Sequence, residues 1–163
     1  MPLLIDGHNL IPKIPGLSLS EPDDEIKLLG LLQEYCRLRR QQAECFFDRA
    51  PQGRPLNRKV GMIAVKSARL GQTADHEIRN RLIALGRRAS TYTVVSSDQS
   101  VQLAARSARA EVKSSERFAL ELMDAITGGA NQKKGSQSGG EEISVSPEEV
   151  EMWLRAFRAR KKD

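Results

Sequence analysis

Short apolar runs that end in an aspartate alternate with helical segments along this 163-residue chain. Three such runs close at Asp6, Asp48 and Asp98, and a fourth aspartate, Asp75, opens the helical pattern that follows another run. Alternation of short strands with helices predicts a parallel α/β sheet. Because ligand sites in such sheets form beyond the carboxyl ends of the strands, the pattern predicts that these carboxylates meet at one edge.

A cluster of aspartates has a definite electrostatic consequence. Like charges that are brought together repel each other unless a cation neutralises them or their pKa values rise. Donor sets made only of oxygen favour Mg²⁺ or Mn²⁺ over zinc. Taken singly, each aspartate is more typical of a turn or a helix cap; their shared position favours a site. The residues suggest a metal-dependent enzyme that acts on phosphate esters, with Asp6, Asp48, Asp75 and Asp98 as candidate metal ligands.

The periodicity of apolar residues predicts the order of the elements. The predicted strands cover residues 2–5, 43–47, 60–65, 92–96 and 110–113. Four helices are predicted. The first covers residues 24–40, and the second runs from an N-cap at Thr73 to residues 86–88. The third covers residues 98–108, and the fourth runs from a cap at Ser114 or Ser115 to residue 126. Residues 7–22 and 49–59, which hold prolines and glycines, are predicted to be loops.

The composition changes sharply after residue 126. Residues 127–140 are rich in glycine and small polar residues, which is typical of a flexible linker or a surface loop. A capping sequence, Ser146-Pro147-Glu148-Glu149, then begins an amphipathic helix that carries several basic residues. The sequence therefore predicts a folded domain at 1–126, a linker at 127–145 and a basic C-terminal helix at 146–163.

The charge of the chain leans toward a polyanionic partner. The formal net charge is +5 and the pI is about 9.5. Arg49, Lys66 and Arg69 follow predicted strands and are candidates to hold phosphates, and Ser97 offers a small hydroxyl beside Asp98. Aromatic residues make up only 4% of the chain, so a platform that stacks single-stranded bases is not indicated.

Targeting and redox features favour a cytoplasmic protein. Asp6 interrupts the first apolar run at once, which is unlike a signal peptide, and all the apolar runs are too short to cross a membrane. The two cysteines, Cys36 and Cys45, have no CxxC spacing and are expected to be reduced thiols. Neither His8 nor His76 is expected to bind metal, because proximity in sequence does not make side chains converge.

Three segments together resemble a known family. The segments are Ile5-Asp6-Gly7-His8-Asn9-Leu10-Ile11, Thr73-Ala74-Asp75 and Val94-Val95-Ser96-Ser97-Asp98. They resemble the NYN domain of PIN-like nucleases and, more narrowly, the bacterial YacP-like group of predicted endoribonucleases. The resemblance covers roughly residues 1–126. It implies a PIN-like three-layer α/β/α sandwich with a mainly parallel sheet, and RNA cleavage that depends on Mg²⁺ or Mn²⁺.

The resemblance also implies roles for individual residues. Asp6, Asp75 and Asp98 match the acidic metal-binding set, Asp48 matches a further acid, and Asn9 matches the asparagine of the first motif. His8 departs from the pattern, since a tyrosine is common at that position of the family. The departure leaves open what packing or substrate contact the tyrosine makes, and it does not affect the expected metal site.

Alternatives to a ribonuclease remain open at the level of sequence. One is a non-catalytic RNA- or protein-binding module on the same fold, and another is a structure-specific DNA nuclease. A phosphatase or a phosphorylated receiver domain ranks last, because Asp6-Gly7-His8 lacks the second aspartate of the DxD signature. The expected partner is RNA, either free or within a ribonucleoprotein, and no membrane is expected. The sequence does not determine the oligomeric state.

Overall fold

A computed structural model describes residues 1–17, 19, 23–48, 57–68 and 71–132, with residues 129–132 described by their backbone alone. Six strands form one sheet in the order β3-β4-β2-β1-β5-β6. The strands are β1 (Leu3–Asp6), β2 (Ala43–Phe47), β3 (Asn57–Val60), β4 (Ile63–Ser67), β5 (Thr93–Val95) and β6 (Glu111–Lys113). All neighbouring pairs are parallel except β3 with β4, so the antiparallel strand lies at one edge.

Helices cover both faces of this sheet. They are α1 (Gly7–Leu10), α2 (Asp24–Arg39), α3 (Ala74–Leu85), α4 (Gln99–Ser107) and α5 (Ser115–Gln132). Helices α2 and α5 share one apolar core with the sheet, and α3 and α4 share a second core on the opposite face. The predicted PIN-like α/β/α sandwich with a mainly parallel sheet is confirmed.

The central strand β1 contributes to both cores. Leu3 and Ile5 point into the core under α2 and α5, whereas Leu4 points into the core under α3 and α4. A strand that is buried on both faces reads as a continuous apolar run, which is why the pattern at residues 2–5 predicted it. Because the side chains alternate between faces, Asp6 lies on the same face as Leu4. The last residue of the central strand is therefore directed toward α3 and α4.

The prediction of one continuous strand at residues 60–65 is wrong. The run from Val60 to Val65 is two antiparallel strands, β3 and β4, and the chain reverses at Gly61 and Met62. Gly61 has a φ of +59°, a conformation that glycine adopts at low cost in a tight hairpin turn. Strand β3 falls largely within the predicted loop 49–59, because its residues are polar and half-exposed and so lack an apolar signature.

Two other boundaries differ from the prediction. The predicted loop 7–22 begins with the short helix α1, which follows β1 without a connecting residue. Helix α5 continues to Gln132, so the first residues of the predicted linker are helical. The rest of that linker and the predicted C-terminal helix at 146–163 lie outside the described residues. Among the helices that the structure describes, none combines the length and apolar character of a membrane span.

The close approach of α1 to β2 requires glycine at position 7. A Cβ atom placed on Gly7 would lie 2.4 Å from Cε1 of Phe47 and 3.0 Å from the carbonyl oxygen of Phe46. The Phe47 ring is buried and the second contact is backbone, so neither can easily move away. The turn that follows Asp6 therefore depends on the missing side chain.

We expect Gly7→Ala to lower the free energy of unfolding by about 1–3 kcal/mol, because an added methyl group overpacks this contact. Gly128→Ala is the matched control. No atom lies within 4 Å of a Cβ at Gly128, which is helical, so the substitution should be neutral or stabilising by up to about 1 kcal/mol. Urea unfolding of the two variants measures both values. Equal stability of Gly7→Ala and wild type would contradict the close approach.

Candidate active site

A pocket of about 360 Å³ opens at the carboxyl edge of the sheet. It is lined by Asp6, His8, Asn9, Asp48, Thr73, Asp75 and Asp98. These residues come from the ends of β1 and β2 and from the starts of α1, α3 and α4. The four predicted aspartates thus line one pocket although they span most of the domain in sequence.

Asp6 lies deepest in this pocket, with 7% of its surface exposed. Ser96, at the end of β5, donates its hydroxyl to Asp6 Oδ2 at 3.2 Å. Burial raises the pKa of Asp6 to about 6; the Ser96 bond lowers the pKa in part, and the charges of Asp48 and Asp98 raise it further. The central carboxylate is therefore poorly compensated by the residues around it.

Asp98 is the N-cap of α4. Its Oδ1 accepts hydrogen bonds from the backbone N–H of Ser100 at 2.8 Å and of Val101 at 3.4 Å. The hydroxyl of Ser100 lies 2.8 Å from the same oxygen and 3.2 Å from Oδ2 of Asp75, so it stands between the two carboxylates. These hydrogen bonds, that of the Ser100 hydroxyl most of all, hold the pKa of Asp98 below its usual range. Asp98 therefore stays ionised where it lines the pocket.

Asp75 lies in the first turn of α3, beside the N-cap Thr73. Its Oδ2 forms an ion pair with Arg79 at 3.1 Å. Its Oδ1 is buried and has no hydrogen-bond partner. A buried carboxylate oxygen without a donor carries a desolvation cost that a bound cation would remove.

Asp48 has both carboxylate oxygens engaged. Oδ1 accepts the backbone N–H of Ala74, the first residue of α3, at 2.9 Å. Oδ2 lies 3.0 Å from Nδ1 of His8, and Nε2 of His8 lies 2.7 Å from Oε1 of Glu25. The two carboxylates raise the pKa of His8, and the hydrogen bond to Glu25 contributes most. Sequence reasoning missed Glu25, because nothing in the first turn of a helix marks an acid as part of a site formed elsewhere.

Asn9 and Ser97 join the pocket to α5. Oδ1 of Asn9 accepts the backbone N–H of Ser97 at 2.8 Å and the hydroxyl of Ser115 at 2.7 Å. The hydroxyl of Ser97 accepts the backbone N–H of Ser115 at 2.9 Å and donates to Glu116. Both side chains therefore hold the ends of β1 and β5 against the start of α5. Glu116 is a second acid in this network that sequence reasoning did not single out.

The predicted phosphate-binding residues are placed differently. Lys66 forms an ion pair with Glu44 at 2.5 Å, on the face of the sheet that α3 covers, and it does not line the pocket. Arg81 of α3 pairs with the same carboxylate at 2.9 Å. Arg49 and Arg69 lie outside the described residues.

The donor chemistry of the pocket fits a hard divalent cation. All four acids offer oxygen, the central one has a raised pKa, and Oδ1 of Asp75 has no donor. The ligand shell is not assembled in advance, however. Within the described part of the chain, no three His, Cys, Asp or Glu side chains stand close enough to share one ion. Small side-chain rotations would have to accompany binding.

Comparisons with known proteins agree with the fold. The sequence model of the YacP-like NYN domain matches residues 3–158. A crystal structure of Rae1 (YacP) from Bacillus subtilis is similar in fold, with a TM-score of 0.71 and 19% identity, and the match covers 99% of this chain and 91% of that chain. Its W164L mutant matches with a TM-score of 0.66 and 24% identity over 99% of both chains. No curated protein matches the sequence.

The raised pKa of Asp6 makes stability depend on pH. Between its ordinary value of 3.8 and about 6, the folded chain keeps a proton that the unfolded chain has lost. Ionisation of Asp6 therefore lowers the free energy of unfolding as pH rises through this range. In the Asp6→Asn variant the side chain at position 6 cannot ionise. In EDTA, the free energy of unfolding of Asp6→Asn relative to that of wild type should therefore rise by about 2 kcal/mol from pH 4 to pH 7. Urea unfolding at several pH values measures this difference.

Asp124→Asn, at an exposed acid on α5, serves as the control for the loss of one negative charge outside the pocket. If the difference in free energy of unfolding between Asp6→Asn and wild type stays constant from pH 4 to pH 7, the raised pKa of Asp6 is contradicted.

Proposed function

Because the chain belongs to the YacP-like NYN domain family, a nuclease-type family, we propose that it is a metal-dependent endoribonuclease. The proposed reaction is hydrolysis of phosphodiester bonds in RNA with Mg²⁺ or Mn²⁺. RNA, rather than DNA, is favoured by the resemblance of the sequence motifs to predicted endoribonucleases.

The observation that carries the proposal is the convergence of Asp6, Asp75 and Asp98 on one pocket. They come from the end of β1 and the starts of α3 and α4. Such convergence is costly when no cation is present, as the raised pKa of Asp6 and the partnerless Oδ1 of Asp75 indicate. Structural needs do not require it, because a turn or a cap uses one carboxylate at a time.

Each of the three carboxylates has a distinct part in the proposed reaction. Asp6 presents its charge from the floor of the pocket, oriented by Ser96. Asp75 and Asp98 face each other across the Ser100 hydroxyl, and Oδ1 of Asp75 is buried without a hydrogen-bond partner. A divalent cation bound by them would acidify a water molecule and neutralise charge on the scissile phosphate. No side chain of the pocket needs to act as a nucleophile.

A non-catalytic RNA- or protein-binding module is the second candidate. One observation favours it: the described residues hold no preassembled set of three ligands. In a binding module the same carboxylates would serve as caps and as partners of arginine, as Asp98 does for α4 and Asp75 does for Arg79. The two candidates differ in whether the charge of these aspartates is needed for turnover.

Cleavage of labelled single-stranded RNA, structured RNA and matched DNA tests the proposal, with Mg²⁺, Mn²⁺ or EDTA. We expect RNA cleavage that requires the metal and falls on the order of 100-fold in Asp98→Asn and in Asp75→Asn. Asparagine is as good an N-cap as aspartate, so Asp98→Asn removes the charge and keeps the start of α4. Asp98→Ala would remove both and confuse stability with activity.

Asp124→Asn again serves as the control and should cleave at the wild-type rate. Full cleavage by Asp98→Asn at unchanged stability would contradict the assigned site. Binding of RNA without cleavage, unaffected by metal and by both substitutions, would favour the binding module. Faster cleavage of DNA than of RNA would leave a nuclease but reverse the proposed substrate.

A further inference from the structure

Asp48 differs from the other three aspartates of the pocket in how its oxygens are used. We propose that Asp48 is not a ligand of the cation but a positioning residue, which anchors the start of α3 and is itself held by the pair of His8 and Glu25. The proposal rests on the proposed function in one respect, since it assigns the cation to Asp6, Asp75 and Asp98. The anchoring itself is a property of the fold.

The contact between Asp48 and α3 supplies a missing acceptor. The first N–H groups of a helix have no partner within the helix. In α3, Thr73 accepts the N–H of His76 at 3.2 Å through its side chain, as a normal N-cap does. The N–H of Ala74 is instead accepted by Oδ1 of Asp48, which comes from the end of β2. The end of one strand is thereby fastened to the beginning of the helix that carries Asp75.

His8 and Glu25 fix the direction in which Asp48 points. His8 lies in α1, two residues after Asp6, and its ring contacts both carboxylates, at 3.0 Å to Asp48 and 2.7 Å to Glu25. The ring also packs against Phe47, with 5.2 Å between the ring centroids. Because one nitrogen faces each acid, the imidazole bridges α2 to the end of β2. It is half-buried, so this bridge is partly shielded from water.

The bridge connects the part of the site that carries Asp6 to the part that carries Asp75, and so fixes the distance between them. His8 follows Asp6 in sequence, and Ala74 precedes Asp75. The path from Glu25 through His8 and Asp48 to the N–H of Ala74 therefore links the central strand to the start of α3, and the backbone N–H of Asp48 also donates to Nδ1 of His8 at 3.2 Å. Both oxygens of Asp48 carry a contact in this path, whereas Oδ1 of Asp75 is buried and has no partner, so Asp75 gains more from a bound cation than Asp48 does.

Substitutions in the full-length chain separate an anchor from a ligand. In Asp48→Asn the new amide oxygen can still accept the N–H of Ala74. Asp48→Ala has no acceptor for it. The backbone N–H of residue 48, which donates to Nδ1 of His8 at 3.2 Å, is kept in both variants. His8→Phe keeps a ring beside Phe47 but removes both nitrogens. His76→Phe is the matched control. His76 is the other histidine of the chain, lies in the first turn of α3 together with Ala74, and has an exposed side chain.

Two quantities are measured for each variant. Hydrogen exchange of the Ala74 amide, followed by NMR, reports the anchor, and titration with Mn²⁺ followed by EPR reports the cation site. We expect Ala74 to exchange roughly fivefold faster in Asp48→Ala and in His8→Phe, as for the loss of a helix-capping acceptor. Asp48→Asn and His76→Phe should exchange like wild type.

The Mn²⁺ titration should follow the exchange data. We expect Mn²⁺ affinity to fall about tenfold in Asp48→Ala and His8→Phe, the usual size of an outer-sphere effect. Asp48→Asn should bind Mn²⁺ like wild type, whereas Asp75→Asn should lose more affinity than any of them. Rescue by the amide is what a purely ligating carboxylate would not allow.

Two results would overturn the inference. If Asp48→Asn loses as much Mn²⁺ affinity as Asp75→Asn, Asp48 is a ligand. If Ala74 exchanges at the wild-type rate in His8→Phe, the histidine does not hold the anchor. If wild type binds no Mn²⁺, the proposed function fails, and the exchange data alone still decide whether Asp48 and His8 anchor α3.

Discussion

A carboxylate buried at the end of the central strand is the constraint on which the rest of the site depends. Asp6 is nearly inaccessible because β1 lies in the middle of the sheet, between β2 and β5, and is covered on both faces. Burial limits the solvation of its charge, and the neighbouring acids make ionisation harder, so its pKa rises. Every other feature of the pocket either relieves this charge in part or adds to it.

The site is held by side chains that connect the ends of elements. Ser96 connects β5 to β1, Asn9 connects β1 to the start of α5, and Asp48 connects β2 to the start of α3. The first N–H groups of a helix have no acceptor within the helix, and the polar side chains at the strand ends can accept their hydrogen bonds. This explains why Ser97, which was predicted to bind substrate, and Asn9, which matches the family's first motif, are occupied in hydrogen bonds within the fold.

The parts of the fold that could be predicted from sequence are those with a regular apolar pattern. The strand at 43–47 and the Thr73 cap of the following helix agree with the structure. The hairpin within residues 57–67 was not predicted, because its first strand is polar and its turn depends on one positive φ at Gly61. The sequence predicts a loop where the short helix α1 lies, since four residues show no periodicity. Convergence of the four aspartates followed from the strand-end rule for parallel sheets.

Sequence by itself determined the fold class and the edge of the sheet that carries the acids, and three of its segments indicated the family. The fold class and the edge follow from local patterns: alternation of short strands with helices, and an aspartate at the end of a buried run. Only the tertiary structure decided which oxygens are free. Glu25 approaches His8, and Asp48 approaches Ala74, across separations of 17 and 26 residues. Such pairings depend on how α2 and α3 pack against the sheet, and no local pattern of residues encodes that packing.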